Sequence, residues 1–238
     1  MVLTKKKEAK EKVKQDKVFI VIAAYNEGKS IIKVISKLRS NGYHNIVVVD
    51  DGSRDNTYEL AKKTGVIVLK HFINRGQGAA LKTGIDFSVE KGADYIVTFD
   101  ADGQHQAEEI KDLLVAVKKP GIEAALGSRF LKSTNIPFSR KFVLKAGILV
   151  TWIFYGLRLT DSHNGFRALS RYAAKKIDIT SDRMEHASQI VEEINKKHIP
   201  FVEVPVTITY SDYSLSKGQS ALNSINIGLK MIFRKLTR

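Results

Sequence analysis

From Val18 to about residue 130, short apolar runs alternate with segments whose apolar positions recur every three or four residues. Val18-Phe19-Ile20-Val21-Ile22 is continuously apolar and rich in β-branched residues, the pattern of a buried strand. Ser30 to Leu38 sets Ile31, Val34, Ile35 and Leu38 on one face of a helix. The alternation continues through a strand at Ile46–Val49, a helix at Thr57–Lys63, a strand at Val66–Leu69 and a helix at Gly78–Lys91. A strand at Tyr95–Phe99, a helix from about Ala107 to Lys118 and a short strand at Ala124–Leu126 complete it. Strands and helices in this order imply right-handed crossovers and an α/β fold with a mainly parallel, Rossmann-like sheet flanked by helices.

In such sheets ligands bind beyond the carboxyl ends of the strands. Four of the five strands here run straight into polar turns. Ala24-Tyr25-Asn26-Glu27 comes after the first, Asp50-Asp51-Gly52-Ser53 after the second, Asp100-Ala101-Asp102-Gly103-Gln104 after the fourth and Gly127-Ser128-Arg129 after the fifth. One edge of one sheet therefore gathers the acidic turns.

Composition narrows the class. The 238 residues suffice for one large folded domain, and the absence of cysteine rules out disulfide and thiolate chemistry. Residues 1–17 read as a basic, solvated N-terminal tail without the apolar core of a secretory signal. The longest apolar run, Phe142 to Leu159, is broken by Lys145 and Arg158 and falls short of the ~20 residues that span a bilayer. A cytoplasmic protein is expected. The net charge of +14 suits nucleic acid, an anionic membrane surface or phosphorylated substrates. No RNA-binding signature is present, zinc-finger spacing needs cysteine, and acidic residues line the presumed binding edge, so no nucleic-acid partner is expected.

The chemistry concentrates in three turns. Asp100 and Asp102, two apart in an extended turn, can face one side; with Gln104 as a third oxygen donor they suit Mg²⁺ or Mn²⁺ held jointly with substrate phosphates. The same carboxylates can instead cap the helix that comes next. A carboxylate at Asp50 or Asp51 can accept from a nucleobase imide or a ribose hydroxyl, with Tyr25 and Glu27 as a similar base-facing pair. Asn74-Arg75-Gly76-Gln77-Gly78 is neither a P-loop nor a dinucleotide fingerprint and reads as a tight turn whose backbone lies near the nucleotide. Lys82 is either a phosphate contact or surface. His105 is expected to pack or hydrogen-bond beside the metal turn, and His163 to order its own loop.

Taken in order, Ala-Tyr-Asn-Glu (24–27), Val-Val-Asp-Asp-Gly-Ser-Arg-Asp-Asn-Thr (48–57), Asn-Arg-Gly-Gln-Gly-Ala-Ala (74–80) and Asp-Ala-Asp-Gly-Gln-His (100–105) form a specific set. Gly-Ser-Arg-Phe (127–130), Asp-Ser-His-Asn-Gly-Phe-Arg (161–167) and Glu-Val-Pro-Val (203–206) extend it. The chain resembles the inverting family 2 glycosyltransferases, and among them the dolichyl- and polyprenyl-phosphate sugar synthases. That resemblance implies a glycosyltransferase-A fold, a catalytic domain over residues 18–220, and sugar transfer from a nucleoside-diphosphate sugar to a polyprenyl phosphate for envelope or glycoconjugate synthesis. It implies Ala24, Tyr25, Glu27, Asp51, Gly78 and Asp100 at the nucleotide and Asp100, Asp102 and Gln104 at the metal. Asp102, Arg129 and Arg167 become the catalytic set, with Arg129, Arg167 and Lys217 holding the acceptor or diphosphate. The usual proline before Tyr-Asn-Glu is Ala24 here, and an acidic residue on the acceptor-side helix is replaced by Gln189, with Glu185 nearby.

Access to a lipid phosphate bears on two further segments. Residues 141–159 carry Phe142, Trp152 and Tyr155 among flanking Lys141, Lys145 and Arg158. Residues 221–238 place Leu222, Ile225, Leu229, Ile232 and Leu236 at three- and four-residue spacing among Lys230, Arg234, Lys235 and Arg238. Both fit basic amphipathic helices in an anionic interface. A peripheral position on the cytosolic membrane face is expected, directly or through a small membrane partner protein. The competing readings are a transferase acting on a glycan or protein hydroxyl, with Glu185 or Asp182 as base, and a basic nucleic-acid-binding module.

Overall fold

The computed structural model describes residues 16–132, 148, 152 and 156–209. Residues 1–15 of the tail, the helix expected over 221–238, Lys217 and most of the 141–159 segment lie outside the described residues. Among the described residues, no helix is long and apolar enough to cross a membrane.

The expected alternation forms. Strands β1 (Val18–Ala24), β2 (Ile46–Asp50), β3 (Ile67–Lys70), β4 (Tyr95–Thr98) and β5 (Ala124–Ser128) are joined through helices α1 (Ile31–Ser40), α2 (Thr57–Lys63), α3 (Gln77–Glu90) and α4 (Ile110–Val117). The helix expected from Ala107 begins instead as a 3₁₀ turn over Ala107–Glu109. Beyond these come β6 (Arg167–Ser170), α5 (Arg171–Lys176), α6 (His186–Lys196) and β7 (Phe201–Pro205).

All seven strands lie in one sheet of order β3-β2-β1-β4-β6-β5-β7. Every pairing is parallel except those of β6, which runs antiparallel to both β4 and β5. The expected α/β architecture is therefore present as a mostly parallel, mixed sheet between two helical layers.

The continuous apolar runs have a direct cause: β1 is covered on both faces. Ile20, Ile22 and Ala24 pack into the core beneath α1, α2 and α4, while Phe19 and Val21 pack into the core beneath α3, α5 and α6. Two buried faces leave no polar side for the strand to show. Edge strand β3, covered less completely, is only half-buried.

Strand order reverses between β1 and β4, since β2 and β3 extend from one side of β1 while β4 and the later strands extend from the other. Ala24 stands opposite Asp50, and Val21 opposite Thr98, so the turns after β1, β2 and β4 emerge side by side at this switch point.

Candidate active site at the sheet edge

The turns after β1 and β2 are stapled together. Asn26, in the left-handed region at φ 55°, donates its backbone N–H to Ser53 Oγ (2.9 Å) and accepts from the Arg54 N–H through its side-chain oxygen (2.8 Å). Glu27 N donates to Thr57 Oγ1 (2.7 Å) and Gly28 N to Asp55 Oδ2 (3.0 Å). The Glu27 carboxylate is buried and accepts from Ser30 Oγ, whereas the Tyr25 ring keeps 38% of its surface in solvent. Ala24, buried at the end of β1, accepts the Asp51 N–H (2.8 Å).

Asp51 is a buried organiser. Its Oδ1 accepts from Arg75 N (3.0 Å) and contacts His71 Nδ1 (2.7 Å), and its Oδ2 accepts from Gly76 N (2.6 Å). The 73–76 turn thereby folds down over Gly52, whose φ of +68° and close approach to the Ile73 and Asn74 backbone exclude a side chain. Neighbouring Asp50 is fully buried, and its Oδ1 has no partner among the described residues.

Gln77 ties this turn to the acidic one. Its amide donates to Asp100 Oδ1 (3.2 Å), while Asp100 Oδ2 meets His105 Nε2 (2.9 Å). Asp102 Oδ1 accepts from Gln104 N (3.0 Å), an Asx-type turn. Neither aspartate caps the next helix, whose cap position, Gln106, makes no side-chain capping bond. His105 packs as expected, buried in edge-to-face contact with Phe99 and tilted against Phe166. The capping alternative thus fails.

Electrostatics separates the pair. Burial opposes ionisation of Asp100, but His105, which also hydrogen-bonds to it, together with His186 and Arg167, holds its carboxyl below the usual range. Asp102 is pushed up to about 6, first by burial and then by the adjacent Asp100. Two desolvated carboxylates that repel each other are relieved by a hard cation. Among the described residues no group of three or more acidic or histidine side chains gathers for a metal.

The basic side of the site depends on the strand that runs backwards. β6 places its first residue, Arg167, opposite Thr98 at the carboxyl end of β4 and opposite Leu126 of β5. Arg167 is 3% exposed; burial lowers its pKa to about 10 against the pull of Asp100 and Asp161. Its Nη2 donates to Ala187 O (3.2 Å), and no described carboxylate forms a salt bridge with it. Arg129, directly after β5, is pinned instead: its N–H and Nε both donate to Asp161 Oδ2 (3.2 and 2.6 Å).

Other expected residues have partners within the fold. Gly78 lies under the 181–183 segment, where an added Cβ would come within 2.0 Å of Ser181 O, and the Ala79 N–H is taken by Asp182 O. Lys82 pairs with Asp86 one turn along α3. Gln189 accepts from Thr180 N and Ser181 N and donates to Asp178 O and Thr180 Oγ1, so its amide holds that same loop together. Asp182 pairs with Arg75 in solvent. His163 meets Ser162 Oγ within its own loop, and burial lowers its pKa to about 4. The partnerships of His71, Gln77 and Glu203 carry no sequence signal, because each spans 12 or more residues.

Comparison with known proteins places this geometry. The chain is 33% identical to the UDP-N-acetylglucosamine–dolichyl-phosphate N-acetylglucosaminyltransferase of Methanococcus voltae, over 92% of this chain and 94% of that one. It is 32% identical to the undecaprenyl-phosphate mannosyltransferase of Micrococcus luteus, over 90% of this chain and 94% of the relative. A glucosyl-3-phosphoglycerate synthase from Mycobacterium tuberculosis, solved with Mg²⁺ and UDP, shares the fold at TM-score 0.69 and 17% identity, over 90% of this chain and 79% of that one. Residues 19–178 match the family described as Glycosyl transferase family 2. Because that span runs from β1 past β6, and so takes in Asp51, Asp100, Asp102, Arg129 and Arg167, the chain belongs to glycosyl transferase family 2 and is a glycosyltransferase.

Proposed function

We propose that the protein transfers a sugar from a nucleoside-diphosphate sugar to a polyprenyl phosphate with inversion at the anomeric carbon. The observation that carries the acceptor is Arg167: a buried guanidinium at the carboxyl edge, within electrostatic reach of Asp100, with no ion-pair partner among the described residues. A buried charge of this kind is costly unless an anion meets it, and a guanidinium suits phosphate. The two relatives named for dolichyl- and undecaprenyl-phosphate transfer support the same acceptor class.

On this reading the nucleoside lies along Ala24, Tyr25, Glu27 and Asp51, with Asp51 also holding the Arg75–Gly76 turn in place. Gly78 then contributes by letting that turn close. A divalent cation, Mg²⁺ or Mn²⁺, held by Asp100, Asp102 and Gln104, would supply Lewis acidity and neutralise charge on the diphosphate. An acceptor phosphate oxygen attacks C1 of the sugar, the C1–oxygen bond to the diphosphate breaks, and the nucleoside diphosphate leaves. Arg129 and Arg167 supply fixed positive charge to the phosphates in this step. A phosphate monoester is already largely anionic at neutral pH (second pKa roughly 6), so no strong base is required. The clamped position of Gln189 agrees with that chemistry.

Residues 18–220 would form the catalytic domain, with the basic segments around 141–159 and 221–238 bringing it to the cytosolic membrane face, alone or through a small partner. Incubating the protein with a panel of nucleotide sugars, Mn²⁺, and either a short polyprenyl phosphate or a glycan acceptor tests the proposal. Label is expected in the lipid; label in the glycan alone would sink it.

A further inference from the structure

Glu203 sits on β7, which pairs in parallel with β5 in a register that sets Leu126 opposite Glu203 and Ser128 opposite Pro205. Its carboxylate reaches across to the turn preceding the 161–167 loop. Oε1 accepts from Thr160 N (2.9 Å), Thr160 Oγ1 (2.7 Å) and Asp161 N (3.2 Å), and Oε2 accepts from Thr160 N (3.0 Å). Thr160 Oγ1 also meets Ser128 Oγ at 2.6 Å. Asp161 is held by its backbone, and its side chain is then committed: Oδ2 to Arg129, Oδ1 to His163 N (3.3 Å).

The order of these bonds has a physical direction. Arg129 and Asp161 are both buried, their side chains 8% and 1% exposed. A buried ion pair adds little to stability compared with apolar residues of the same volume. What it does well is fix a guanidinium in one orientation, provided the carboxylate itself cannot swing. Two bonds to one Asp161 oxygen, one from the Arg129 backbone and one from Nε, lock the start of that side chain. Glu203 removes the remaining freedom by anchoring the Asp161 main chain to the neighbouring strand.

We infer that Glu203 is a positioning residue for the acceptor phosphate, acting through the Thr160–Asp161 turn on the guanidinium of Arg129. The inference rests on reading Arg129 as an acceptor contact. Glu203→Gln keeps the shape while placing an amide group against N–H donors. In steady-state kinetics the KM for the polyprenyl phosphate is expected to rise about tenfold, with that for the sugar nucleotide within about twofold, because an ångström-scale displacement is felt by the group that moves. A purely structural role would lower the thermal midpoint and weaken donor and acceptor together. Because the effect passes through Arg129, adding Glu203→Gln to Arg129→Ala is expected to change nothing further. If Glu203→Gln does not fold, Thr160→Val removes one of the same bonds and is expected to shift acceptor KM in the same direction by less. A normal acceptor defect in Arg129→Ala beside unchanged acceptor kinetics in Glu203→Gln overturns the role of Glu203, as does multiplication of the two effects in the double variant. An Arg129→Ala enzyme with unaltered acceptor KM overturns instead the reading of Arg129.

Discussion

Arg167 stands opposite Thr98 across the antiparallel β4–β6 ladder, and this one pairing brings a buried guanidinium to the strand end from which Asp100 and Asp102 project. The strand before Asp100 is parallel to its other neighbour, β1, so a parallel β6 would have carried Arg167 to the far edge of the sheet. Arg167 and Asp100 come within electrostatic reach because one strand is reversed.

Replacing Arg167 with Met separates function from stability. A buried charge without an ion-pair partner is expensive, so the variant is expected to unfold at the same temperature or higher. Its kcat/KM should fall by about a hundredfold or more, the usual cost of removing a fixed charge that faces developing negative charge. Arg167→Lys should recover only part, since the fork is lost. Calorimetry beside steady-state kinetics checks both halves; a large drop in midpoint would show a structural tether instead.

Asp102→Asn tests the metal turn. In the wild-type protein, thermal midpoints should rise with Mn²⁺ and the donor nucleotide together; in the variant that rise should vanish, and activity should drop by about a hundredfold or more. The folded pKa of Asp102 is raised to about 6, so the stability linked to its proton is complete below about 4 and lost as pH rises through 6. The metal-free variant is therefore expected to be at least as stable as wild type at pH 7.

Burial lowers the pKa of both His163 and His186 to about 4. Each ring should stay neutral in the folded protein down to about pH 5, and its carbon-bound proton resonances should not titrate between pH 8 and 5. In the unfolded chain the same rings protonate near 6.5. The stability they contribute is therefore complete above that value and lost as pH falls toward 4, by roughly 3 kcal/mol per ring at most. Two histidine resonances titrating near 6.5 in the native protein, assigned to these rings, would contradict the burial argument.

Gly78→Ala should destabilise by about 1–3 kcal/mol in denaturant titrations. The new methyl would meet the Ser181 carbonyl and the His186 Cβ, backbone and near-backbone atoms that cannot swing aside. Nucleotide affinity measured on the remaining folded protein should fall too, because Gly76 and Gln77 reach Asp51 and Asp100 from the same turn. A variant of normal stability with weakened nucleotide binding would mean that Gly78 touches the ligand directly.

Strands β1, β2 and β4 were legible because burial on both faces writes itself as an unbroken apolar run, and the acidic turns were legible because they come directly after those runs. β6 was not. Its four residues begin with arginine, make no run, and become a strand only by filling the gap between β4 and β5. Gln189 illustrates the same limit: it reads as a missing acid, and its four bonds to residues 178–181 make it a loop clamp. Hydrophobic periodicity is a local property, so the chain alone determined the layered α/β sheet and the edge on which Asp51, Asp100 and Asp102 gather. Strand direction, and with it the meeting of Arg167 with Asp100, was decided by tertiary structure, because hydrogen-bond register joins residues whose sequence separation erases any local trace.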